Sequence, residues 1–451
     1  MKTRPHEWNK DTLLVLFIVG ASQTIFAAAD EHWDGRVGYP GVTDAVGVVG
    51  VAEHQGDLYV FGSFHSVGGI TATNIARWKG GDWSPLGEGV GSRTVSAAAS
   101  DGRYLYAGGF FASAGGVTAN NIARWDGTNW SSLGEGVNGS VRSIVASGSS
   151  VFAAGLFTNA SGTTANNVAQ WDGAKWLALG DGIAPIVQNS FYLGTVHSLA
   201  VDSTNLIVGG SFRRAGNVAA MNIARWNGSE WQALGGGLRV IDASNPLYPE
   251  NGNVSALAVM NGFIYAGGDF RLAGDINATN IARWSGDTGW QPVGNGRNDP
   301  SISALVPNGN TLYAGGSFLM IGGVQVNRIA LWDGNTWAPL GNGIQWGDGI
   351  KNLAVSGDRL FVGGHFWAAG GKPSTNVAIW NIPHALSIEH QRGQVRIRWP
   401  ATGSNYVLEA KSAMHETNWS EVSGIGAVDR DQWVVHDLVE NHNRFYRLRR
   451  E

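Results

Sequence analysis

One unit recurs seven times along this 451-residue chain, and that repetition limits the possible folds more than any other feature. Its clearest copy runs from Leu105 to Gly134 and reads Leu-Tyr-Ala-Gly-Gly-Phe-Phe-Ala-Ser-Ala-Gly-Gly, then Asn-Ile-Ala-Arg-Trp-Asp-Gly, then Trp-Ser-Ser-Leu-Gly. An anchor tryptophan marks each copy: Trp78, Trp125, Trp171, Trp226, Trp284, Trp332 and Trp380, spaced 46 to 58 residues apart. A glycine-phenylalanine element precedes each anchor, read at Phe64, Phe110, Phe157, Phe212, Phe270, Phe318 and Phe366. A second tryptophan follows in six copies (Trp83, Trp130, Trp176, Trp231, Trp290 and Trp337) and is missing from the seventh. A period in the forties made of several short strands is the signature of a propeller blade.

Each copy offers four strands. The first is a small-residue strand such as Val95–Ala99, the second Leu-Tyr-Ala-Gly-Gly, the third Asn-Ile-Ala-Arg-Trp and the fourth the Trp-x-x-Leu-Gly segment. Asp126-Gly127 and Asn227-Gly228 sit between the third and fourth strands, where such pairs favour a short hairpin. Small residues suit strands crowded around an axis, and Gly-Gly lets neighbouring backbones approach. The anchor tryptophans and phenylalanines are expected to fill the wedges between blades, so the tryptophans are structural. One such blade cannot bury both its faces alone, whereas a ring can. The seventh copy ends at Trp380-Asn-Ile-Pro383 without its fourth strand, and Trp33-Asp-Gly-Arg-Val-Gly38 carries a matching fragment. The expected fold is therefore all-β: a seven-bladed β-propeller over residues 30–383, closed by its N-terminal strand, which leaves no free edge.

The two ends read differently. Lys2, Arg4 and Lys10 precede the apolar run Thr12–Ala21, and Ala27–Ala29 provides a small-residue cleavage site. Residues 1–29 are thus expected to be a signal peptide, which gives a secreted, periplasmic or cell-surface protein, bacterial in style. The apolar run is too short for a spanning helix, so no transmembrane helix is expected in the mature chain. Residues 384–451 alternate in strand fashion and are expected to form a small fibronectin- or immunoglobulin-like β-sandwich. The chain has no cysteine, which excludes disulfides and a cysteine nucleophile. Its net charge of −4 gives no pull toward nucleic acid.

Departures from the repeat mark where a scaffold has been individualised. Two between-blade connections are enlarged: Asp181–Val196, with Phe191 and Tyr192, and Gly236–Asn253, with Tyr248. Smaller additions lie near Asp299 and at Gln345-Trp346-Gly347-Asp348, and Trp367 follows Phe366 of the seventh copy. These aromatics could form platforms for sugars or peptide side chains, with Asp242, Asp299 and Asp348 as the polar groups. Arg77, Arg124, Arg225 and Arg283 precede four anchors and are expected to bridge blades or to snorkel over tryptophans. Asn74, Asn121, Asn167, Asn222, Asn280 and Asn376 lie four residues before six anchors and are expected to bond loop backbone. His65, His197 and His365 are isolated and read as packing or surface residues. No metal-ligand spacing is present. Calcium could sit among loop oxygens, but no EF-hand spacing supports it, and no cofactor is expected.

On these residues the unit resembles bacterial secreted repeat propellers. It is similar also to the extracellular repeats of fungal cell-cortex marker proteins and, more loosely, to kelch and galactose-oxidase-like propellers. The tail is similar to C-terminal β-sandwiches of exported Verrucomicrobia and Planctomycetes proteins. The resemblance implies a surface or secreted binding module. The expectation is a monomeric recognition or adhesion protein that binds a glycan or an extracellular protein on the enlarged-loop face without catalysis. The alternatives are a polysaccharide hydrolase or lyase using loop-face carboxylates, and a structural envelope or matrix protein.

Overall fold

The computed structural model describes residues 12–13, 30–39, 41–42, 47–91, 93–183, 194–241, 250–294, 301–383, 387–391, 394–400, 406–411, 418–422, 427–429, 432–438 and 445–450. Among the described residues there is no α-helix; a 3-10 turn spans Asp30–His32. The chain divides into two compact units.

The larger unit comprises Trp33–Ser356 and Leu360–Trp380. Each repeat copy forms one antiparallel sheet, numbered 1 to 7 here in the order of the anchors. Sheet 2 is representative: Thr94–Ser100 pairs with Leu105–Phe110, then Ile122–Trp125, then Trp130–Ser132. In sheet 7 the fourth place is taken by Trp33–Asp34, which pairs with Val377–Asn381 in the register Trp33↔Trp380. The first strands touch in a cycle: Gly47–His54 contacts both Thr94–Ser100 of sheet 2 and Ile344–Ser356 of sheet 7.

Packing follows from the repeat. Anchor and second tryptophans sit directly opposite each other, as in Trp125↔Trp130, with ring centroids 5.4 Å apart. Trp33 and Trp380 form the corresponding pair at 5.1 Å. The second tryptophan also reaches the preceding sheet. The Nε1–H groups of Trp130, Trp176, Trp231 and Trp290 donate to the carbonyls of Leu86, Leu133, Leu179 and Leu234 at 2.8–3.1 Å. Trp33 donates in the same way to Leu340 at 3.2 Å. Apolar clusters are shared between neighbours. One gathers Phe61, Ile75 and Leu86 of sheet 1 with Val95, Leu105 and Trp125 of sheet 2. Another joins Val48, Val60 and Phe64 of sheet 1 to Phe361, Val377 and Ile379 of sheet 7, with Val37 and Val42.

The six asparagines behave as expected, and more. All have positive φ, between 62° and 68°. Asn121 Oδ1 accepts from the Phe111 amide at 3.1 Å, while its Nδ2 donates to Val137 O at 2.8 Å, a residue on the way to sheet 3. Asn376 does the same with Phe366 and Val42. In sheet 6 Arg328 occupies this place at φ 66° and donates Nη1–H to Ile344 O.

Two expectations need correction, and one feature is new. In the second copy the phenylalanine of the repeat is Phe111, not Phe110. Phe111 is 5% exposed and spaced from Asn121 as Phe64 is from Asn74, whereas Phe110 is 46% exposed under Arg93. A shift of one residue in a strand turns a side chain to the opposite face. The arginines share neither of the two expected contacts throughout: only Arg225 both reaches a tryptophan and bridges to the next sheet. Arg225 lies over Trp284, but Arg124 lies over Tyr104, Arg283 over Phe263, and Arg77 faces Asp57. The Ala-Gly-Gly segment is a tight hairpin of its own, Ser113–Ala114 with Val117–Thr118 in sheet 2. Gly115 there has φ 54°, and a Cβ on it would come within 2.6 Å of Trp130, so both backbone and packing demand glycine.

The smaller unit comprises Met1–His32, Gly357–Arg359 and Asn381–Glu451. Its described strands form two four-stranded antiparallel sheets. One pairs Ser387–Gln391, Gln394–Pro400, Gln432–Leu438 and Ala427–Asp429. The other pairs Phe445–Arg450 with Tyr406–Lys411 and, on its other side, with Thr12–Leu13.

Candidate functional site

Two places in the larger unit carry chemistry that the repeat does not need for folding. The first is built on sheet 7. Gln345–Asp348 is not a loop, as expected from sequence, but the start of a long strand, Ile344–Ser356. It runs beside an equally lengthened second strand, Arg359–Ala369. Trp346, at φ 50°, is 68% exposed, and Trp367 is 52% exposed. On the same two strands His365 Nδ1 bonds Asp348 Oδ2 at 2.9 Å, and the His365 ring meets Trp367 edge-on at 5.1 Å. Gly349 brings this strand against the backbone of Gly316 and Ser317 in sheet 6, where Leu319 and Met320, beyond the buried Phe318, are also exposed. The result is an apolar rim with a polar pair set into it. Exposed indole faces of this kind cost solvation, and they suit flat apolar ligand surfaces while a neighbouring carboxylate accepts hydrogen bonds.

The second place is a cavity of about 380 Å³ to which the first strands of all seven sheets contribute. In sheets 1 to 6 these strands carry a β-bulge at one recurring register, where one residue is left unpaired. The bulged residues are Val49, Ser96, Arg142, His197, Ser255 and Ser303. Each follows a buried β-branched residue, and Lys351 follows Ile350 in sheet 7 in the same way. Arg142 donates Nη1–H to His197 Nδ1 at 3.2 Å. That fixes the tautomer, since Nδ1 must be unprotonated to accept. Desolvation, then the charge of Arg142, holds the His197 pKa down at about 4, so the ring is neutral at pH 7.

Of the residues singled out from sequence, Trp346, Trp367 and Asp348 all lie on the two long strands of sheet 7, and His365 joins Asp348 to Trp367. Phe191, Tyr192, Asp242, Tyr248 and Asp299 lie outside the described residues. The connection holding Asp242 and Tyr248 begins and ends as paired strand, Leu238–Ile241 with Glu250–Asn251. The anchor tryptophans Trp78, Trp125, Trp171, Trp226, Trp284, Trp332 and Trp380 are buried or half-buried. Sequence reasoning passed over Arg142 and Lys351 and set His365 and His197 aside as packing or surface residues. The signal was present: aligning the first strands by their buried Val or Ile puts all but His365 at one position. Among the described residues no group of three His, Asp or Glu side chains could hold a metal ion, and no helix is long and apolar enough to cross a membrane.

Residues 99–126 match a protein family described as "Domain of unknown function (DUF5122) beta-propeller". They run from the first strand of sheet 2 through its anchor Trp125. With the repeated antiparallel sheets, this makes the chain an all-β protein carrying a β-propeller repeat. No curated protein matches the sequence. Among solved structures, the WD40 beta propeller domain of Doa1 has a TM-score of 0.42 at 12% identity, covering 74% of this chain and 91% of that one.

Proposed function

We propose that this protein is an exported recognition or adhesion module of the bacterial secreted-propeller kind. It binds a glycan or an extracellular protein at the rim of sheets 6 and 7 and carries out no catalysis. Its body is a seven-bladed β-propeller closed by the N-terminal strand, and its tail is a small β-sandwich. Closure is supported by the Trp33↔Trp380 pairing, the Trp33 bond to Leu340, and the bond from Asn376 to Val42. The binding reading rests on one observation: Trp346 and Trp367 stand exposed at the same end of a single hairpin that also carries the Asp348–His365 pair. A residue with only a packing role would be covered.

The test is titration of the full chain with microbial and plant polysaccharides, with reducing-end release followed in the same wells. Binding without release is expected, and Trp346→Ala and Trp367→Ala should each weaken it at least tenfold while leaving the circular dichroism unchanged. Binding indifferent to both substitutions removes the site from this rim, and release of product replaces recognition with hydrolysis. Protein recovered outside the membrane should begin at Asp30, and a start at Met1 would rule out leader cleavage. Such cleavage also removes Thr12–Leu13 from the edge of its sheet.

A further inference from the structure

We propose that the cavity bounded by the seven first strands is a binding site for a small oxyanion, of the class of phosphate, sulfate or a polycarboxylate, held by Arg142 and Lys351 on different sides.

Three observations carry this. The cavity wall contains Arg142, Lys351 and His197 but no Asp or Glu. Two fixed positive charges without a facing carboxylate attract anions, and walls of low dielectric strengthen that field. The two cations are placed by a repeated device, since Arg142 occupies a bulge and Lys351 the matching place in sheet 7. A bulge re-aims its residue out of the regular ladder. At the other bulges the repeat has Val49, a serine or, in sheet 4, the neutral His197, so no requirement of folding calls for a cation there. Finally, the cations are available. Arg142 has its Nη1 committed to a neutral imidazole, which leaves its charge uncompensated, and no ion pair is formed by Arg142 or Lys351 among the described residues. Lys351 is exposed to the cavity space.

Ser255 adds a hydroxyl to the same ring; it accepts from Asn253 Nδ2 at 2.8 Å, which leaves its own proton free to be donated inward. An arginine fork and hydroxyl donors are the groups that recognise oxyanions. The volume of about 380 Å³ admits such an ion. Glu53 belongs to a second opening, of about 600 Å³, where it accepts from the Gly56 amide at 2.6 Å.

The test is isothermal titration of the full chain at low ionic strength with sodium phosphate, sodium sulfate and sodium citrate, with sodium chloride as control. One site per chain is expected for at least one of the three. Arg142→Gln and Lys351→Gln should each weaken it at least tenfold, the double variant should not bind, and all should keep the wild-type circular dichroism. Trp346→Ala should leave this binding unchanged, which separates it from the rim. Absence of binding with all three anions, equal heats with chloride, or binding that survives the double substitution would overturn the proposal.

Discussion

At the residue scale, the asparagine before each anchor does more than sequence position reveals. A non-glycine residue at positive φ is costly, and asparagine tolerates it best. Asn121 combines that conformation with one bond inside sheet 2 and one toward sheet 3. Its substitution should therefore separate backbone from hydrogen-bonding effects. Asn121→Ala loses both bonds and is strained at φ 65°, for a cost of about 2–4 kcal/mol. Asn121→Gly loses the same bonds but accepts the backbone, so its urea midpoint should fall between those of wild type and the alanine variant. If the two variants unfold together, the strain contributes nothing. That an asparagine recurs was legible; that its amide spans two sheets was not, because its partner is a carbonyl and carbonyls have no sequence signature. Arg328 makes the point from the other side, since it keeps the φ and the carbonyl bond with a different side chain.

At the scale of strands and sheets, the sequence identifies element type well and register less well. The four strands of sheet 2 fall where hydrophobic alternation and the Asp126-Gly127 turn put them. Phe110-Phe111 is ambiguous by strand alternation, because both residues are apolar, although Phe111 alone keeps the phenylalanine-to-anchor spacing of the other six copies. The structure resolves it, with an unequal consequence. Phe111→Ala should cost about 3–5 kcal/mol through the cavity it leaves, while Phe110→Ala should stay within about 1 kcal/mol. Thermal or urea unfolding of the two variants checks this, and similar losses would mean the register is wrong. The sheet 7 rim was partly legible for the same reason. Trp346 and Trp367 stand out as aromatics where other copies lack them, but that Asp348 and His365 join them depends on a long-range strand pairing. The cavity cations were hidden differently: Arg142 and Lys351 look like ordinary surface residues until seven strands are superposed on one register.

At the scale of the larger unit, each apolar cluster among the described residues draws on two neighbouring sheets. Since each cluster is shared by two neighbours, the contribution of Trp33 extends well beyond its two-residue strand. It fills the tryptophan place of sheet 7, accepts the Lys372 ammonium on its carbonyl and bonds sheet 6 through Leu340. Trp33→Ala should cost about 3–5 kcal/mol. Removal of residues 30–42 should destabilise further and expose the edge of Val377–Asn381, favouring association between copies. Sedimentation of the truncated protein tests this; a stable monomer would show that the segment is dispensable.

The same pairing has a mechanical side. His32 and Asn381 lie next to each other, joined by a bond from Asn381 Nδ2 to the His32 carbonyl, and the strands beyond them run antiparallel. Tension applied through these two points would open the Trp33–Asp34 pairing from its end, one hydrogen bond after another, instead of loading all of them in shear. The sheets elsewhere would carry no force until that seam had parted, so a pull between the two ends is met first by the weakest geometry the ladder offers.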